Sequence, residues 1–124
     1  MARILIAEDE PDIRELITIT LHFAGHEVIS TTNGEEAVRL SGQELPDLIL
    51  LDMRMPRISG YEACQQIKSN PNTRLIPVAF LSARGQDAEV QACLAAGAEE
   101  YLLKPFSPEE LIHVVQAMLE RNRD

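Results

Sequence analysis

Five apolar runs of strand length alternate with five segments of helical periodicity along this chain, and that alternation narrows the fold before any single residue is considered. Residues 3 to 7 (Arg-Ile-Leu-Ile-Ala), Glu27 to Thr31, Leu48 to Leu51, Pro77 to Leu81 and Glu100 to Leu103 read as strands. The run Leu48-Ile49-Leu50-Leu51 has no polar break, which predicts a central strand covered on both faces. Pro11 opens the first helix, in which Ile13, Leu16, Ile17, Thr20 and Leu21 recur at helical spacing until Gly25 ends it. Asn33-Gly34 starts the second, with Ala37, Val38 and Leu40 on one apolar side. The third runs from Gly60 to Lys68 and stops at Asn70-Pro71, and the fourth runs from about Gln86 to Ala96 and stops at Gly97. Ser107-Pro108-Glu109-Glu110 caps the fifth, which carries Leu111, Val115, Met118 and Leu119. Such alternation predicts an α/β fold, a doubly wound five-stranded parallel sheet with helices on both faces joined by right-handed crossovers. Closing a barrel takes about eight such units.

Composition excludes several classes of function. The 124 residues show no internal repeat and are read as one domain, 1–124, of 45% apolar and 25% charged residues, ordinary for a globular protein. No apolar stretch approaches the roughly 18 residues of a membrane span. The opening Met1-Ala2-Arg3-Ile4-Leu5-Ile6-Ala7 runs into Glu8-Asp9-Glu10, too short and too acidic for a signal peptide, so a cytoplasmic location is expected. A formal charge of −9 argues against direct contact with nucleic acid, whose phosphates demand a basic face. Cys64 and Cys93 form no Cys-x-x-Cys pair and fit apolar helical positions, so both read as reduced packing residues. His22, His26 and His113 read as surface or helix-end residues.

In an open parallel sheet, ligands bind at the carboxyl ends of the strands, and the polar residues of this chain collect there. Glu8 and Asp9 follow the first strand, Asp52 closes the third, Ser82 follows the fourth, and Lys104 follows the fifth, before Pro105. Singly, each has a plain explanation: Glu8-Asp9-Glu10 suits a helix N-terminus, and Lys104-Pro105 suits a surface turn. Jointly, their order and spacing point to chemistry. If the first and third strands are neighbours, three carboxylates converge, and each like-charged pair at about 4 Å costs on the order of 4 kcal/mol at an effective dielectric near 20. Such a cluster calls for a cation or a proton. Oxygen ligands with room for water favour Mg²⁺, whereas zinc would want histidine or cysteine ligands that this edge lacks. A carboxylate beside a divalent ion, an ammonium and a hydroxyl is suited to receiving a phosphoryl group, with Asp52 as the nucleophile and Lys104 and Mg²⁺ offsetting charge on the equatorial oxygens.

These motifs are similar to those of the response-regulator receiver domains of two-component signalling, over essentially all of residues 3 to 120. Ile4-Leu5-Ile6-Ala7-Glu8-Asp9-Glu10-Pro11 resembles the acidic-pair motif, and Asp47-Leu48-Ile49-Leu50-Leu51-Asp52-Met53-Arg54-Met55-Pro56 the phosphoacceptor motif. Leu81-Ser82-Ala83-Arg84 resembles the switch-hydroxyl motif, and Tyr101-Leu102-Leu103-Lys104-Pro105-Phe106 the lysine motif. The resemblance implies a chemotaxis-regulator-like, flavodoxin-like sheet of order 2-1-3-4-5. It implies that Asp52 accepts a phosphoryl group from a histidine kinase or phosphotransfer protein. Asp9 and Asp52 would ligate Mg²⁺ directly, Glu8 through water, and Arg54 by its backbone carbonyl. Lys104 would contact the phosphoryl oxygens, Ser82 would swing to the phosphate, Tyr101 would turn inward, and a cis peptide bond would precede Pro105. The changed face would be the fourth helix, fifth strand and fifth helix, read by an output partner or attached effector domain.

Departures from the family pattern are equally legible. Glu8 stands where aspartate is commoner, one methylene longer with the same charge. Arg54 and Arg84 occupy positions that in this family modulate the lifetime of the acyl phosphate. Receivers joined to winged-helix domains dimerise through arginine and acid pairs; here Glu99 and Glu100 retain the acids, but Val114 replaces the expected arginine, marking either an apolar docking patch or deeper packing of the last helix. A haloacid-dehalogenase-like phosphohydrolase would place a second aspartate where Arg54 stands, so a switch is expected, limited to its own phosphorylation and slow dephosphorylation, and not a turnover enzyme. Neither a Gly-x-x-x-x-Gly-Lys loop nor a Gly-x-Gly-x-x-Gly turn follows any strand, which disfavours nucleotide binding.

Overall fold

All four residues from Leu48 to Leu51 are buried, and so is Asp52 after them, as a strand flanked by neighbours and covered on both faces requires. The computed structural model describes residues 1–83 and 87–121. The elements are β1 (Arg3–Ala7), α1 (Pro11–Phe23), β2 (Glu27–Thr31), α2 (Gly34–Glu44), β3 (Leu48–Asp52), α3 (Gly60–Ser69), β4 (Val78–Ala83), α4 (Asp87–Ala95), β5 (Glu100–Lys104) and α5 (Pro108–Arg121). The sheet is parallel throughout, in the order β2-β1-β3-β4-β5, the doubly wound topology expected from the alternation and the motifs.

Strand alternation divides the core into two layers. Ile4, Ile6, Leu48, Leu50, Ala79, Leu81 and Leu102 pack under α1 and α5, against Ile17, Leu21, Leu111, Val115 and Met118. Leu5, Ala7, Ile49, Leu51, Val78 and Phe80 pack under α2, α3 and α4, against Ala37, Ala63, Cys64, Ile67 and Cys93. Both cysteines are buried and reduced, Cys93 Sγ lying 3.7 Å from Met53 Sδ.

The helix boundaries follow from local chemistry. Asn33 Oδ1 accepts from the Glu36 amide at 2.8 Å, and Ser59 Oγ from the Glu62 amide at 3.1 Å. Ser107 and Glu110 form a reciprocal capping box, with the Glu110 amide donating to Ser107 Oγ at 3.1 Å and the Ser107 amide to Glu110 Oε1 at 3.0 Å. Gly25, after α1, sits at φ +92°, a conformation that side chains disfavour. Four expectations need correction. Pro77 lies outside β4, since it has no amide to give the ladder, although its carbonyl accepts from Ile49 at 3.0 Å. β4 instead continues through Ser82 and Ala83, which pair with Leu103 and Lys104, so Ser82 lies within its strand and Lys104 ends its own, rather than following them. Leu16 is exposed, because α1 buries Ile17, Thr20 and Leu21 and turns position 16 about 100° from that stripe. Ala96 falls beyond α4, while Gln86 lies outside the described residues.

Candidate functional site

The parallel order sets β1 beside β3, so the acids at their carboxyl ends meet. Asp52 is the last residue of β3 and only 6% exposed, Glu8 follows β1 and is fully buried, and Asp9 beside it is exposed. One carboxylate oxygen from each of the three lies within 4.8 Å of the others. Lys104 Nζ, delivered by the end of β5, lies 2.8 Å from Glu8 Oε1, 3.2 Å from Asp52 Oδ1 and 3.8 Å from Glu10 Oε1. Three converging carboxylates against one ammonium leave an excess of negative charge in a low-dielectric pocket.

The titration of the site reflects that excess. Burial, reinforced by the hydrogen bond and charge of Glu8 and opposed by Lys104, pushes the Asp52 carboxyl up to about 7. Burial alone would depress the Lys104 ammonium, but Glu8 and Asp52 outweigh it and raise its pKa. Glu8 Oε1 is buried, with the Lys104 ammonium 2.8 Å away as its charged neighbour. Three carboxylates whose oxygens lie within 4.8 Å of one another form an all-oxygen donor set, which fits a hard cation such as Mg²⁺.

Local backbone chemistry fixes both flanking loops. The Glu8 amide donates to the Thr31 carbonyl at 3.1 Å, and the Glu10 amide to Glu8 Oε2 at 3.2 Å. After β3 the chain doubles back, so the Gly60 amide donates to the Met53 carbonyl at 3.0 Å, and a methyl group at Gly60 would collide with the Asp52 carbonyl. Asp9, Glu10, Asp52, Met53, Arg54, Leu81, Ala83 and Lys104 line a cleft of about 290 Å³ over the site. Larger clefts, of about 410 Å³ beside Met1 and His26 and about 440 Å³ along α5, are lined by none of these residues.

The remaining sequence-predicted residues spread around this centre. Ser82 is buried on β4, one position beyond the partner of Asp52, Leu81. By strand alternation Ser82 belongs with Val78 and Phe80 on the α2–α4 side, where half-buried Tyr101 also packs, while Asp52 and Lys104 share the parity of the α1–α5 side. The Lys104–Pro105 peptide is cis. Arg54 is exposed on the β3–α3 loop, and Arg84 lies outside the described residues. Val114 is half-buried, packed against the α1–α5 cluster on one side and lining a surface cleft along α5 with Glu100 and Arg121 on the other. The two acids are engaged within the chain: Glu99 binds Lys68 Nζ at 2.8 Å and the Val78 amide at 2.9 Å, and Glu100 lies 3.6 Å from Arg121. Glu10 is the residue near Lys104 to which sequence reasoning gave no role; its place beside the acidic pair was the available signal.

Residues 4–116 match the family model of the response regulator receiver domain. The DNA-binding dual master transcriptional regulator RpaA of Synechocystis sp. is 40% identical over 121 residues, 98% of this chain and 50% of that protein. Among solved structures, the chemotaxis response regulator CheY4 of Vibrio cholerae is 30% identical with a TM-score of 0.90, covering 95% of this chain and 98% of that one. The receiver domain of the sensor histidine kinase PA1611 from Pseudomonas aeruginosa, solved with a magnesium ion coordinated in the active site cleft, is 34% identical with a TM-score of 0.90, covering 96% of this chain and 98% of that one. The chain spans about half the length of the curated relatives it matches.

Proposed function

The chain belongs to the response regulator receiver domain family, and on that premise we propose that Asp52 is its phosphoacceptor, with residues 1–124 forming one receiver domain. The carrying observation is the burial of Asp52 among Glu8, Asp9 and Lys104 at the rim of the sheet. The donor is a phosphohistidine on a histidine kinase or phosphotransfer protein. An Asp52 carboxylate oxygen forms a bond to phosphorus while the phosphorus–nitrogen bond of the donor breaks, and the electron pair leaves with the imidazole. Lys104, shared between Glu8 and Asp52 at rest, turns its ammonium to the phosphoryl oxygens. Asp9 and Asp52 directly, Glu8 through water and the Arg54 carbonyl would hold Mg²⁺, which would supply neutralisation of charge on those oxygens.

Ser82 then reports the modification. Its hydroxyl donates to the phosphoryl group, Tyr101 turns further into the α2–α4 layer, and the face formed by α4, β5 and α5 changes for its reader, with Pro105 fixing the turn after Lys104. That reader is an output partner or an effector domain, and the acidity of this domain leaves nucleic-acid contact to the reader. No helix among the described residues is long and apolar enough to cross a membrane, in keeping with a cytoplasmic switch.

The test is incubation with Mg²⁺ and acetyl phosphate, followed by intact-mass measurement. A hydroxylamine-labile gain of one phosphoryl group is expected on the wild type and absent from Asp52→Asn. An unmodified wild type, or a variant modified equally, overturns the assignment.

A further inference from the structure

The loop joining β1 to α1 must present Glu8 and Asp9 at fixed angles, yet the helix it enters has no side-chain cap: Glu10 occupies the N-cap position and accepts no capping hydrogen bond there. Arg14, in the first turn of α1, reaches back over this loop. Its Nη1 donates to the Glu8 carbonyl at 3.0 Å and to the Asp9 carbonyl at 3.4 Å, and the side chain is partly buried in doing so. A guanidinium beside Glu8, Asp9 and Glu10 would, if its task were charge neutralisation, be expected to take a carboxylate in a bidentate pair. Both of its described side-chain hydrogen bonds go to backbone carbonyls instead. Each carbonyl fixes the peptide plane that follows its residue, and so constrains where the Glu8 and Asp9 carboxylates project.

We propose that Arg14 is a positioning residue for the cation site, a clamp whose guanidinium fixes the backbone of the acidic pair so that Glu8 and Asp9 face Asp52. The proposal rests on the reading of Glu8, Asp9 and Asp52 as the Mg²⁺ site. It makes a prediction whose sign separates position from charge. A cation near the site repels Mg²⁺, so neutralising Arg14 would tighten metal binding if charge were its contribution. A clamp predicts the reverse.

The experiment uses Arg14→Met, which keeps an apolar stem and removes charge and donors, and Arg14→Lys, which keeps the charge and loses the planar fork. Mg²⁺ alone is titrated and followed by the backbone amide shifts of residues 8–10, and stability is measured separately in urea with EDTA. Arg14→Met is expected to weaken Mg²⁺ about tenfold, the usual effect of losing a group that orients metal ligands, with Arg14→Lys in between. Amide exchange at Glu10, whose N–H is held by Glu8 Oε2, should quicken in both without metal. Binding by either variant as tight as the wild type, or tighter, overturns the clamp whatever the change in stability, and Arg14→Lys decides if Arg14→Met fails to fold. A wild type with no saturable response, or one that Asp9→Asn leaves intact, overturns the Mg²⁺ site and the clamp with it.

Discussion

Replacing Asp52 by asparagine should stabilise the metal-free protein, and the gain should depend on pH. The folded carboxyl titrates near 7 against 3.8 for the ordinary group, so the folded state holds the proton more tightly than the unfolded chain. For a group shifted in that direction, the favourable contribution is complete below 3.8 and is lost as pH rises through 7. A difference of about 3 pKa units corresponds to a ceiling of about 4 kcal/mol at pH 8, and coupling to Glu8 and Lys104 reduces the expected gain to about 1–3 kcal/mol. Asparagine keeps the shape, removes the charge and leaves the Lys104–Glu8 pair in place. The assay is urea unfolding of both proteins in EDTA at pH 5, 6, 7 and 8, taking the difference at each pH so that groups common to both cancel. More than half of the pH 8 gap should vanish by pH 5. Saturating Mg²⁺ at pH 8 should close it, because a ligand that binds the folded wild type stabilises it by RT ln(1 + [Mg²⁺]/Kd). An asparagine variant no more stable than wild type at pH 8, or a gap that stays constant with pH, would refute the electrostatic account of the site.

Two further variants test whether the half-buried ammoniums of Lys104 and Lys68 are separable in function. Lys104→Met leaves Glu8 and Asp52 without their cation, so in EDTA at pH 8 it should cost about 3 kcal/mol, and labelling of Asp52 by acetyl phosphate should slow at least tenfold. Lys68→Met removes an ammonium that donates to the Arg74 and Ile76 carbonyls and to Glu99; it should cost about 1–3 kcal/mol of unfolding free energy while the labelling rate at saturating Mg²⁺ stays within twofold.

The strand–helix alternation and the gathering of polar residues at one sheet edge were legible because they rest on periodicity and on strand ends, whereas the strand order came from the resemblance of the motifs. A run such as Leu48–Leu51 admits one kind of environment, and a parallel sheet brings its carboxyl ends to one edge. What resisted reading was set by contacts distant in sequence. Ser82 and Ala83 carry no strong strand signal, and their place in β4 comes from the ladder with Leu103 and Lys104. Leu16 fits a helical apolar pattern as well as Ile17 does, and which is buried depends on how α1 is rotated against the sheet. The different burial of adjacent Glu8 and Asp9 follows from their placement at the rim, where Glu8 is enclosed and Asp9 opens to solvent. Arg14 left no trace in the motif, since a hydrogen bond to a backbone carbonyl selects no partner residue type.

The alternation that sorts the core into two layers also sorts the site. Asp52 and Lys104 share the parity of the layer beneath α1 and α5, while Ser82 and Tyr101 belong to the layer beneath α2, α3 and α4. The sheet therefore separates the two pairs, which approach each other along the rim where β3, β4 and β5 end. On that plan the sensitivity of the response and the rate of the chemistry can drift independently. Repacking around Cys64 or Ile67 would alter the layer in which Tyr101 packs at a distance from the carboxylates, whereas Cys93 touches Met53, the neighbour of Asp52.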